Sequence, residues 1–145
     1  MNNHPIRLQV YEILDLVEEA TSDTDKVQIL KKYACMPLFD VCRGFFDSNI
    51  QWNLPGGAPP YTPHEEGPPP STLLKQHLKF KYFVKGFRES ESLNKIRREK
   101  MFLDILESVH PGDAKVLASM INKPETVKGL TKDLVKEAFP DLIPN

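Results

Sequence analysis

The chain has no run of about 18 apolar residues, the length a helix needs to cross a bilayer, so no segment reads as a membrane span. Cysteine is scarce, with Cys35 and Cys42 the only two in 145 residues. If both lie on one helix, their Cα atoms stand about 10 Å apart, too far for a disulfide. They read as reduced thiols of an intracellular protein. Met1-Asn2-Asn3-His4-Pro5 lacks a basic segment leading into an apolar run, so it does not read as a signal peptide. Close-paired metal-ligand spacing is also missing. Cys35, Cys42, His64, His77 and His110 are scattered, and His64-Glu65-Glu66 lacks the second histidine of a zinc-protease helix. Gly56-Gly57 and Pro111-Gly112-Asp113 are turn and cap sequences, not a phosphate-cradling loop. Both cysteines have apolar neighbours, as buried small residues do, and Glu12, Asp15 and Glu19 fit an outer helix face. The expectation is a protein with no metal or other cofactor and no catalytic residues, acting by binding and not as an enzyme.

What is present is an ordinary globular composition, 40% hydrophobic and 27% charged, well away from the disordered regime. The length fits one domain with a core of its own. Proline is abundant: seven of the thirteen fall between Pro55 and Pro70. The net charge of −1 is unevenly spread. Residues 1–70 carry five basic and ten acidic side chains, residues 71–100 nine and three, and residues 101–145 five and seven. The local field therefore says more about partners than the whole-chain balance does.

Apolar spacing predicts helices throughout. Pro5 suits a first helical turn, and Leu8, Val10, Tyr11, Ile13, Leu14 and Val17 form an apolar stripe over roughly 6–20. A second helix is expected over roughly 24–34, and Pro37 opens a third that Gly44 is placed to end. Residues 45–70 read as extended or polyproline chain, its first half held by Phe45, Phe46 and Trp52 and its second half mobile. Ser71 or Thr72 then starts a helix over roughly 72–86, with Leu74, Leu78 and Tyr82 along one side and Gly86 at its end. Another follows over about 92–109, with Ile96 among its core candidates. Pro111 begins a short helix, and Thr131 caps a last one, with Leu130 and Val135 set for a hydrophobic staple. The expected fold is an all-α, compact bundle of about seven short helices. It forms a single domain over residues 1–145, with 45–70 a long proline-rich loop within it.

Two stretches carry chemistry directed at a partner. In residues 71–100 the basic side chains alternate with Phe80, Tyr82, Phe83 and Phe87. Lys79, Lys81, Lys85, Arg88, Arg97 and Arg98 are the candidate contacts to nucleic-acid phosphates, with exposed aromatics available to stack on bases. Exposure of Phe80 and Phe87 beside the lysines would favour this reading over a solvated face above a core. The second stretch is Trp52 with Pro59, Pro60 and Tyr61, a candidate surface for a protein partner. It lacks the proline-proline-any-tyrosine spacing of the better-defined ligands.

Several segments together resemble a known family. They are Ile50-Gln51-Trp52-Asn53-Leu54-Pro55 with Pro59-Pro60-Tyr61, Leu93-Asn94-Lys95-Ile96-Arg97-Arg98-Glu99-Lys100, His110-Pro111-Gly112-Asp113-Ala114-Lys115, and Gly129 through Pro140. Over residues 10–143 or so the chain resembles small uncharacterised proteins of T-even-like tailed phages, marine and cyanobacterial ones included. The resemblance transfers no catalytic or binding residue. It implies a phage accessory protein made in the host bacterial cytoplasm, whose partners are nucleic acid or phage or host proteins.

Overall fold

Side-chain caps and prolines start most of the helices in the computed structural model, which describes residues 7–144. The expectations for Met1–Pro5 lie outside the described residues. Helix α1 (Val10–Glu19) opens with the Gln9 N–H donating to Glu12 Oε1 at 2.9 Å. In α2 (Asp23–Lys32) the Ser22 hydroxyl accepts from the Asp25 N–H. Asp23 and Asp25 sit in its first turn and Lys31 and Lys32 in its last, as the helix dipole favours. Helix α3 (Met36–Phe46) has Pro37 in its first turn. Helix α4 (Leu73–Gln76) passes into a 3-10 helix over His77–Phe83. Then come α5 (Arg88–Glu91), α6 (Lys95–Ser108), capped by the Asn94 side chain, and α7 (Pro111–Met120), capped by the His110 ring. Thr131 caps α8 (Lys132–Ala138), and Leu130 and Val135 beside the cap are both fully buried.

The chain is mostly helical but not strictly all-α. Strands β1 (Thr126–Val127) and β2 (Leu130–Thr131) form an antiparallel hairpin, Thr126 opposite Thr131 and Val127 opposite Leu130. Lys128 (φ +48) and Gly129 (φ +74) make its two-residue turn, the left-handed pair that matches strand twist. Two-residue strands leave no apolar alternation in the sequence to announce them. Among the described residues there are eight α-helices and one 3-10 helix where about seven helices were expected.

The main departure lies at residues 72–86, expected as one α-helix. Leu74, Leu78 and Tyr82 recur every four residues, which suits an α-helix, but Leu74 is 51% and Leu78 66% exposed. The buried set is His77, Phe80 and Phe83, three apart. A 3-10 helix, with three residues per turn, lines up that spacing on one face. The competing period prevails because it buries two phenylalanines instead of two leucines and a tyrosine bearing a hydroxyl. The helix expected over 92–109 is present as α6, and the short α5 before it, separated by Ser92–Asn94, was not expected. Ile96, expected in the core, is 83% exposed.

Helix α7 packs against α1, α3 and α6, and α2 packs on α1 and α8. Ile13, Leu14, Val17, Leu38, Val41, Leu106, Leu117 and Met120 fill the space between them, each at most 1% exposed. Gly44 does not end α3, which continues through Phe45 and Phe46, so the long loop starts only after Phe46. The loop is tied down between Trp52 and Thr62. Trp52 bridges to Val84, Asn53 N–H donates to Phe83 O, Gly57 and Asn122 exchange two hydrogen bonds, and Thr62 N–H donates to Glu107 Oε2 at 2.8 Å.

Tyr11, His110 and Asp113 join α1 to α7. The Gly112 N–H donates to His110 Nδ1 at 2.9 Å, which leaves the ring proton on Nε2, facing Tyr11 Oη at 3.2 Å. Asp113 is fully buried: Oδ1 accepts from Tyr11 N–H at 2.9 Å, while Oδ2 has no partner. Burial pushes its carboxyl up to about 6, against the lowering effect of the Tyr11 hydrogen bond, and nearby Glu12 adds to the rise. A carboxyl raised in the folded state contributes its full stability below its unfolded value near 4 and loses it as pH climbs through 6. Asp113→Asn is therefore expected to stabilise the fold by about 2 kcal/mol at pH 7.5, after some loss of helix-dipole attraction, and by almost nothing at pH 4. Urea unfolding of both proteins at the two pH values checks this; an equal difference at both would refute it.

Candidate functional site

Packing on one side of the 3-10 helix drives its charges to the other. With His77, Phe80 and Phe83 turned inward, Lys79 and Lys81 between them are exposed. Gly86, at φ +87, turns the chain, and its N–H donates to Glu91 Oε1 at 3.0 Å. Lys85 and Arg88 flank that turn, and Arg97 follows in the first turn of α6; all three are exposed, as are Lys75 and Lys95. The 3-10 helix packs against both α5 and α6, so these cations stand on adjoining elements.

None of them forms an ion pair with a described carboxylate. Ion pairs lie elsewhere, among them Arg43–Asp40, His77–Asp40, Lys100–Asp104 and Lys128–Asp15. Of the three acids in residues 71–100, Glu91 is engaged by the Gly86 backbone instead. The Lys81 ammonium lies over the Tyr82 ring, 5.7 Å from its centre. Phe87 is 47% exposed between Lys85 and Arg88, whereas Phe80 is buried edge-on against Trp52. One of the two aromatics that would favour binding is thus at the surface.

Two of the expected site residues belong to the interior. Arg98 is 9% exposed. Its Nε donates to Asn53 O at 2.9 Å and its Nη1 to Ser90 O and Leu93 O at 3.0 Å each. These bonds hold the long loop and the α5–α6 junction together, so Arg98 has no charge to offer a phosphate. Trp52 is 7% exposed, and its Nε1–H donates to Gly44 O at 3.1 Å. It cannot anchor a partner without leaving the core. Pro60 remains exposed and Pro59 and Tyr61 half-buried; both prolines line a shallow pocket of about 100 Å³ with Leu54, Glu99 and Phe102.

Sequence reading missed one polar pair. His77 Nδ1 lies 2.6 Å from Asp40 Oδ2, and Arg43 holds the other oxygen of that carboxylate at 2.9 Å. The partners are 37 residues apart, so no motif could announce them. An imidazole oriented by a carboxylate can act as a general base, but among the described residues no hydroxyl or thiol is hydrogen-bonded to this ring. Among the described residues no three of His, Cys, Asp and Glu are grouped to hold a metal, and no helix is long and apolar enough to cross a membrane.

Fold and surface together define a small, mostly helical domain with exposed cations, none in an ion pair with a described carboxylate, on the 3-10 helix, α5 and α6. The chain belongs to a family of unknown function, DUF6433, whose model matches residues 13–126. No curated protein and no solved structure matches it.

Proposed function

We propose that this is a non-enzymatic phage accessory protein, acting in the host bacterial cytoplasm by binding nucleic acid or a nucleic-acid-processing complex. The observation that carries the reading is the set of exposed, unpaired cations Lys79, Lys81, Lys85, Arg88 and Arg97, with Lys75 and Lys95 beside them. Surface charges usually gain from nearby opposite partners, and a face left without them is available to phosphate oxygens. Each phosphate neutralised releases counterions, so log affinity should fall linearly with log salt, with a slope of about −0.7 to −0.9 per contact. Reversing Lys79, Lys85, Arg88 and Arg97 to glutamate should weaken DNA or RNA binding by about 100-fold or more and flatten that slope. All four side chains are exposed, so the fold should survive. Absence of binding at low salt, or affinity indifferent to these reversals, removes the proposal.

A second reading is favoured by a specific observation. Of five exposed large apolar side chains among the described residues, Leu74, Leu78, Phe87 and Ile96 lie in the basic stretch and only Met36 outside it. Phosphates have no use for Leu78 and Ile96, whereas an acidic protein surface with an apolar centre does. On this reading the protein-interaction surface is the cationic face, not the loop of Trp52, Pro59, Pro60 and Tyr61. Capture of a host or phage protein that survives nuclease and is lost in Ile96→Asp would support it.

A further inference from the structure

A groove on another part of the surface has the composition of a ligand site. It lies where the start of α1, the end of α2, the start of α3 and the start of α4 meet, and its volume is about 460 Å³. That is within the range of small-molecule sites, roughly 300–1,000 Å³. Leu8, Val10, Tyr33, Met36, Leu73 and Leu74 supply apolar wall. Two of the five exposed large apolar side chains, Met36 at 56% and Leu74 at 51%, stand on it.

Its charge is one-signed. Twenty of the chain's residues are Asp or Glu, yet none lines the groove; Arg7 and Lys32 are its charged residues. Neither makes an ion pair with a described carboxylate. Helix α3 begins here, at Cys35, and turns the positive end of its dipole to the groove, whereas the start of α1 is already met by the Glu12 carboxylate and Lys32 stands at the negative end of α2. From this charge complementarity we infer that the groove binds an amphipathic anion, an acyl chain carrying a single carboxylate. The chain would cover Met36 and Leu74, and the carboxylate would face Arg7 and Lys32. A polyanion fits less well, because two cations in an apolar trough make no rail for successive phosphates. The site shares Leu74 with the basic stretch but uses none of its cations, and it does not depend on the function proposed there.

Cys35 lines the groove, and Cys42 is fully buried, so thiol labelling of the native chain reads occupancy. The full chain should be reacted with an aromatic disulfide reagent in the presence of dodecanoate below its micellar concentration, dodecanol, or acetate. Dodecanoate should slow Cys35 modification saturably, by about tenfold, and the other two by less than about twofold. Lys32→Glu, at an exposed position, should abolish the protection and Lys32→Arg should keep it; Lys32→Arg should melt as the parent does, and Lys32→Glu, with a carboxylate at the C-terminal end of α2, only a few degrees lower and folded at the assay temperature. Equal protection by dodecanol would show a greasy cleft with no preference for anions and overturn the inference. So would no protection by dodecanoate, or protection that persists in Lys32→Glu.

Discussion

Arg98→Ala is expected to lower the unfolding free energy by about 3–4 kcal/mol, whereas Arg97→Ala, one residue away, should cost less than about 0.5 kcal/mol. The contrast follows from what each side chain touches. Arg97 is exposed and free of ion pairs. Arg98 spends its donors on the carbonyls of Asn53, Ser90 and Leu93. Its removal strands three acceptors in a buried place and leaves a cavity, and each buried unsatisfied group costs about 1–3 kcal/mol. Arg98→Lys should recover little, since an ammonium cannot reproduce the fork that reaches carbonyls on two sides. Chemical denaturation of the three variants checks the order. Equal small losses for Arg97→Ala and Arg98→Ala would contradict the role assigned to Arg98. Nucleic-acid affinity, measured under conditions where Arg98→Ala remains folded, should hardly change.

Gly44→Ala should destabilise by about 3 kcal/mol, although the same change in most helix interiors stabilises by about 1 kcal/mol. The sign is set by space. A Cβ at Gly44 would meet Trp52 Cζ2 at 2.7 Å and the Met120 side chain. Met120 can repack, but Trp52 is held by its own hydrogen bond to Gly44 O and by the edge of Phe80, 6.1 Å between centres. Displacing the indole strands its Nε1–H, and the Trp52–Val84 bridge goes with it. Thermal unfolding monitored by fluorescence of this single tryptophan reads both effects; an unchanged or higher melting temperature would refute the close packing. Gly44 looked like a helix stop because glycine commonly is one. Here it is the residue small enough to let an indole lie against a helix backbone.

Helix starts were the most legible feature. Pro37, Pro111 and Thr131 each act within one turn of chain, so the residue and its effect are adjacent in sequence. The stripe of α1 was legible for the same reason: Val10, Ile13, Leu14 and Val17 are all buried. The stretch 72–86 was not, because it carries two apolar periods at once. Leu74, Leu78 and Tyr82 suit an α-helix, and His77, Phe80 and Phe83 suit a 3-10 helix. Only the partners across the gap, Trp52 against Phe80 and Phe102 against Phe83, select the second. The candidate site was readable as charge and not as geometry. Arg97 and Arg98 are chemically identical and adjacent, and nothing local says which one turns inward.

By itself the sequence determined most of the helix starts, the mostly helical character and the concentration of positive charge in residues 71–100, because caps, apolar spacing and charge counts act over a few residues. The tertiary structure alone decided which side chains are surface. It buried Trp52, Phe80 and Arg98, left Leu78, Phe87 and Ile96 exposed, paired Asp40 with His77, and formed the groove that Arg7 and Lys32 line. Exposure depends on what lies opposite in space, and for these residues the neighbour is supplied by chain far away in sequence.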